Sequence, residues 1–236
     1  MRGWVKATIG LVVLSGLLVG ADRIAVGVAE DQAADQLVKT GYLSQRPQVS
    51  IEGFPFLTQA LSMELDDVRL SADGLTVGTG KQQVELHGFT ARLSGVAVSD
   101  SLTSATVAAG TAEGLVTYAD LAKMMPPASE LVPGSGKAIP GGTRLSLSYG
   151  GPGKIKAALG PVPVGEGSLH NSGNTITADG FRLSGVAALL NGGDKAIDPV
   201  SFTLSGLPAG LTLTTAEPGP DGLRLSFRGD RFKLNG

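Results

Sequence analysis

The hydrophobic pattern changes character twice along this chain. From Ala7 to Ala21 there is no charge at all, with Arg2 and Lys6 ahead of the run and Asp22 and Arg23 closing it. As a helix these 15 residues, or 18 counting Trp4 and a snorkelling Lys6, cover roughly 22 to 27 Å, against a hydrocarbon core of about 30 Å. The segment 1–21 therefore lies between a signal peptide and a short anchor. Val19, Gly20 and Ala21 offer a cleavage site, whereas the unbroken helical pattern beyond them fits a retained anchor. Either way the positive residues stay on the cytoplasmic side and the rest is exported. From Asp22 to about Thr40 the pattern is an amphipathic helix. Ile24, Val28, Leu37 and Val38 fall near helical spacing, Glu30, Asp31, Asp35 and Lys39 fill other positions, and Gly41 is a natural stop.

The period then becomes two. Val49 and Ile51 alternate with Gln48, Ser50 and Glu52, and Val84 and Leu86 with Gln83 and Glu85. Leu145, Leu147 and Tyr149 repeat the pattern, as do Val200, Phe202 and Leu204, and Leu223, Leu225 and Phe227. Asp73-Gly74, Asp179-Gly180 and Asp221-Gly222 read as hairpin turns, which makes the order antiparallel. Gly88-Phe89-Thr90-Ala91-Arg92-Leu93-Ser94-Gly95-Val96 is echoed by Gly180-Phe181-Arg182-Leu183-Ser184-Gly185-Val186, at a period too long for a solenoid. Tyr118 to Met125 reads as a second, short helix ended by Pro126 and Pro127, and 126–142 as a flexible surface loop. The fold class is α+β, mostly β: a long curved antiparallel sheet or half-barrel around one long N-terminal helix. Residues 22–236 form a single domain.

Composition narrows the function. Gly, at 35 residues, is about twice its usual share of roughly 7%, without a collagen period, while apolar residues make up 42%. A net charge of -2 gives no electrostatic footprint for nucleic acid. The absence of cysteine removes disulfides, thiolate metal sites and cysteine nucleophiles together. The glycines near Gly136-Lys137 and Gly153-Lys154 lack the P-loop spacing, and there is no Gly-x-Ser-x-Gly elbow and no Gly-x-Gly-x-x-Gly turn. His87 and His170 stand alone in strand-like context, so no metal and no cofactor is expected. Glu64, Asp66 and Asp67 are the densest carboxylates and the sole basis for a hydrolase; a solvated strand face explains them as well.

What remains is more apolar sheet face than one helix can cover. Such a sheet holds either a filled core or a tunnel, and the scarcity of aromatic residues, 5%, leans toward a tunnel for acyl chains. The expected lining is Phe54, Phe56 and Leu57 at the mouth, Ile24 and Val28 from the helix, and Leu145, Leu147, Leu223, Leu225 and Phe227 from the sheet. Arg46 is the candidate for a headgroup phosphate.

Four stretches carry a family resemblance: the hydrophobic segment running into Asp22-Arg23, Pro47 to Gln59 with its Gly53-Phe54-Pro55-Phe56-Leu57-Thr58-Gln59 end, Gly114 to Ala122, and Leu207-Pro208-Ala209-Gly210-Leu211 followed by Asp221-Gly222-Leu223. Together they resemble the LmeA-like phospholipid-binding proteins of the actinobacterial cell envelope. The pattern departs at Ser62-Met63, where it would place a glycine. The resemblance implies a tubular lipid-binding fold, no catalytic residues, and a role in binding or moving phospholipid at the outer face of the cytoplasmic membrane. A second role compatible with it is a scaffold for an envelope lipoglycan glycosyltransferase.

Overall fold

A computed structural model describes residues 2–39, 43, 45–77, 83–99, 104–125, 145–160, 162–182, 196–204, 207 and 210–235, with the side chains of the first helix described from Ser15 onward. The chain opens with the helix α1 (Arg2–Lys39). Strand β1 (Gln48–Glu52), helix α2 (Phe56–Ser62) and the long strands β2 (Glu64–Val77), β3 (Val84–Val98) and β4 (Ser104–Thr117) follow. After the short helix α3 (Tyr118–Met124) come β5 (Leu145–Gly151), β6 (Lys154–Leu159), β7 (Val162–Ser172), β8 (Thr175–Asp179) and β9 (Val200–Thr203). A last hairpin, β10 (Leu211–Gly219) and β11 (Gly222–Asn235), completes the order. The expected class, α+β with mostly β, is the one observed.

The strands divide into two antiparallel sheets. The first runs β1-β2-β3-β4-β11-β10 and the second β5-β6-β7-β8-β9. The closing hairpin inserts β11 beside β4, with Leu223 opposite Val116, Leu225 opposite Gly114 and Phe227 opposite Ala112. The apolar face of the β4–β11–β10 half meets the second sheet, and Leu86, Val116, Ile155, Val164, Ile176, Leu223 and Leu225 are almost completely buried between them. A long helix is present, but it packs on β1 and α2 rather than lying inside the sheet: Val26 joins Ile51 and Phe56 in a separate apolar cluster. Leaving the body toward its N-terminus, α1 is exposed at every residue from Ser15 to Ala21. Among the described residues no helix is long and apolar enough to cross a membrane.

The local readings meet mixed outcomes. The short helix at Tyr118 is present and capped by Thr117, whose Oγ1 accepts from the Asp120 amide. Asp73-Gly74 is no turn: Gly74 pairs with His87 inside β2, which runs on to Val77 because β3 lies beside it throughout. At Asp221-Gly222 the hairpin closes one residue earlier, through Pro220-Asp221, with Gly219 opposite Gly222. Asp179-Gly180 does end a strand, Gly180 taking φ 72°, but β8 and its partner β9 are separated by some twenty residues of chain. Each Gly-Phe of the internal echo pairs a glycine of positive φ with a buried phenylalanine, Phe89 and Phe181, in the main core. The rest of the second copy, from Leu183, and the loop at 126–142 lie outside the described residues.

Candidate lipid-binding site

The Gly53–Gln59 run is a structural corner. The first strand stops at Glu52, and Gly53 turns the chain at φ 103°, where a Cβ would collide with the Gln59 amide. A cis Phe54–Pro55 bond follows, and Pro55 stands at the N-cap of α2, which offers no side-chain acceptor of its own. Asp22 of α1 supplies one: its Oδ1 accepts from the Leu57 amide at 2.8 Å. Burial pushes the Asp22 carboxyl up, but the Leu57 amide and the Arg23 guanidinium at 2.6 Å outweigh it, so the net shift is downward and the group holds its charge. Glu30 accepts from the Ile51 amide at 2.8 Å, and buried Gln59 accepts from the Asp66 amide at 2.9 Å. One short motif therefore joins α1, β1, α2 and β2. The sequence placed this run at a strand end and did not foresee α2, a helix of only 7 residues; so short a helix has little intrinsic stability and exists through its tertiary caps.

The expected lining residues separate into three places. Phe56 is buried against Val26 and Ile51, whereas Phe54 and Leu57 from the same motif face solvent. Ile24 and Val28 occupy the side of α1 turned away from the body and are exposed. Leu147, Leu223, Leu225 and Phe227, with half-buried Leu145, belong to the dry core between the sheets. Arg46 binds Asp31 and Asp35 of α1, each at 2.9 Å, and fastens the segment after the helix back onto it. Two carboxylates already balance its charge.

An arrangement the sequence reading missed lies between these groups. The apolar face of the first sheet is longer than its covers. The second sheet closes one end and α1 with α2 close the β1 corner, while Leu65, Val68, Leu70, Ala91 and Leu93 remain only half-buried along β2 and β3. Val68 faces Leu93, and Leu70 faces Ala91, across the β2–β3 ladder. From residue 65 to 70 the strip is about 17 Å long at the usual rise per strand residue. Asp66, Asp67 and Arg69 interrupt its alternation in β2, although Thr90-Ala91-Arg92-Leu93-Ser94 shows it plainly in β3.

The opposite face of the same strands is polar. It forms an open basin of about 880 Å³ bordered by the polar side chains of Gln48, Glu52, Arg69, Arg92, Thr111 and Glu113, with Leu70, Ala91 and Ala112 also touching it. Arg69 pairs with Glu52 at 3.0 Å, and Arg92 with Asp67 at 3.4 Å, so the charges there largely compensate. The three carboxylates singled out in the sequence are dispersed in role: Asp67 holds Arg92, the Asp66 amide binds Gln59, and Glu64 is exposed. His87 Nε2 lies 3.2 Å from Asp120 and His170 Nδ1 lies 3.7 Å from Asp179. No group of three metal-ligating side chains occurs among the described residues.

A half-buried apolar strip on an open two-sheet fold, beside an amphipathic corner, is a class of architecture suited to holding hydrocarbon. The family model for LmeA-like phospholipid-binding proteins matches residues 20–228, most of the chain, and the protein belongs to that family. No curated protein and no solved structure matches. Family membership supports lipid binding as its general activity.

Proposed function

We propose that the protein binds phospholipid outside the cytoplasmic membrane, with acyl chain seated along Leu65, Val68, Leu70, Ala91 and Leu93, and serves as a carrier or sensor in maintenance of the cell envelope. The half-buried strip carries this reading, because Leu65, Val68 and Leu93 keep part of their apolar surface open while packing against buried Val96, Val107 and Phe232, in a member of a phospholipid-binding family. Each methylene that moves from water onto it contributes about 0.8 kcal/mol, so a single chain would supply ample affinity without any catalytic group. The uncharged run from Ala7 to Ala21 supports the location, since it serves export whether cleaved or retained. The protein, on this reading, holds its ligand unchanged.

Purification without detergent, followed by lipid extraction and mass spectrometry, tests the reading. Phospholipid should be recovered in near-stoichiometric amount, and Ala91→Trp, which fills the strip, should abolish it. A lipid-free protein that also takes up no labelled phospholipid from vesicles would refute it. Co-purification of a glycosyltransferase that survives Ala91→Trp would favour the scaffold role instead.

A further inference from the structure

We propose that the corner carrying α2 is a membrane-docking surface: Phe54, Leu57 and Leu61 enter the headgroup layer of a phospholipid bilayer whose surface falls at Asp22–Arg23. The inference rests on the lipid-binding reading only in taking a bilayer as the place where ligand is collected or delivered.

Three observations converge on it. Phe54 is 61% exposed, Leu57 39% and Leu61 88%, while Phe56 and Gln59 on the other side of the same short helix are buried. Leu57 and Leu61 are four residues apart and share one face. Leu61 thus gains nothing from the fold, although the helix that presents it is fixed by buried contacts and by the Asp22 bond.

The second observation is position. The Leu57 amide is bound to Asp22, and the Arg23 guanidinium sits 5.4 Å above the centre of the Phe54 ring. The corner is therefore tied to the residues at which the uncharged run ends. Immediately before them Ser15 to Ala21 are exposed all round, with Leu17 at 66% and Leu18 at 59%. A helix that leaves the body with an uncharged surface on every side is suited to hydrocarbon rather than water. Inserting it from one side puts the boundary at its first charges, and Phe54 and Leu57 are tied to that level through Arg23 and Asp22.

The third is charge. Asp22 is buried, and the Arg23 guanidinium that pairs with it at 2.6 Å keeps half of its side chain open to solvent at the boundary. An arginine stacked on an exposed ring suits the interfacial layer, with the ring toward the acyl chains and the guanidinium toward phosphate. A second protein chain would also cover apolar side chains, but it would not account for the adjoining uncharged helix.

The chain has no cysteine, so single labels can be placed without background. Full-length Leu57→Cys, Leu61→Cys and, as a control on the second sheet, Ser172→Cys would each carry an environment-sensitive fluorophore. They would be mixed with vesicles of phosphatidylcholine and phosphatidylglycerol containing a nitroxide near the headgroup. Labels at 57 and 61 should shift to the blue and be quenched several-fold more than the label at 172. Unshifted, unquenched labels at 57 and 61, with a label at Leu17→Cys quenched, would overturn the inference, because the helix would then insert with the corner in water. A blue shift without lipid quenching, together with chemical crosslinking into dimers, would assign the corner to a second copy and overturn it equally. A protein that docks in this way but yields no extractable phospholipid would refute the binding reading alone.

Discussion

Met63 takes a left-handed backbone conformation, φ 55° and ψ 25°, at the C-cap of α2, with its amide directed at the Ala60 and Gln59 carbonyls. A side chain with a Cβ is disfavoured there, which is why helices commonly end on glycine. It is also the place where the resemblance leads to the expectation of a glycine and this chain has Ser62-Met63. The Met63 side chain is 38% exposed and joins none of the apolar clusters, so it recovers little through packing. Met63→Gly should therefore stabilise the protein by about 0.5–1 kcal/mol, the relief of strain exceeding glycine's entropic cost. In a chain of this size that corresponds to a rise of ~1–4 °C in Tm, readable by calorimetry. An unchanged or lower Tm would mean that the turn is held by something other than its backbone preference.

Among the elements, α3 has an attachment that responds to pH. Thr117 and Asp120 cap its first turn reciprocally, the Asp120 amide donating to Thr117 Oγ1 at 3.2 Å and that hydroxyl donating to Asp120 Oδ2 at 2.6 Å. Lys123 at 2.7 Å and His87 of β3 at 3.2 Å converge on the same carboxylate. Burial pushes its pKa up, but these partners outweigh burial and hold it at about 2, below the ordinary carboxylate value of 3.8. A depressed carboxylate contributes stability that is complete above its unfolded value and disappears as pH falls through its folded one. The loss should thus occur between about pH 4 and pH 2, and amount to roughly 1–2 kcal/mol after allowance for solvent screening. Asp120→Asn should be less stable than the parent at pH 6 and should nearly meet it at pH 2. Parallel acid limbs for the two proteins would remove Asp120 from this role.

The whole molecule separates residues that hold the fold from residues free to hold a ligand. Leu225, fully buried between the sheets, should cost ~2–5 kcal/mol when replaced by alanine, with the lipid content per folded molecule unchanged. Ala91→Trp, on the half-buried strip, should reverse the pattern: a small change in chemical-denaturation midpoint and loss of bound lipid. If Leu225→Ala instead depleted lipid at constant stability, the ligand would lie between the sheets, among the residues that the alternation alone nominated.

Periodicity and composition were enough to indicate the long helix, the alternating strands at Gln48–Glu52 and Leu145–Gly151, the short helix at Tyr118 and the absence of a P-loop or serine elbow, because these depend on spacing within a few residues. The Gly53–Gln59 motif marked the family, since a run of glycine, proline and two phenylalanines is rare enough to be distinctive without being folded. Long-range arrangement was not legible in the same way. Whether Leu223 and Leu225 line a space or fill it depends on the second sheet lying across them, and no local pattern encodes that distance. Asp22 reads as the polar end of a hydrophobic run, but only the fold brings it to the amide of Leu57, where it sustains a helix too short to predict. Arg46 looks available until Asp31 and Asp35, more than ten residues earlier, meet it. The half-buried strip is likewise a property of coverage: Leu93 alternates like any strand residue, and it is the end of the second sheet on one side and of α1 on the other that leaves it open.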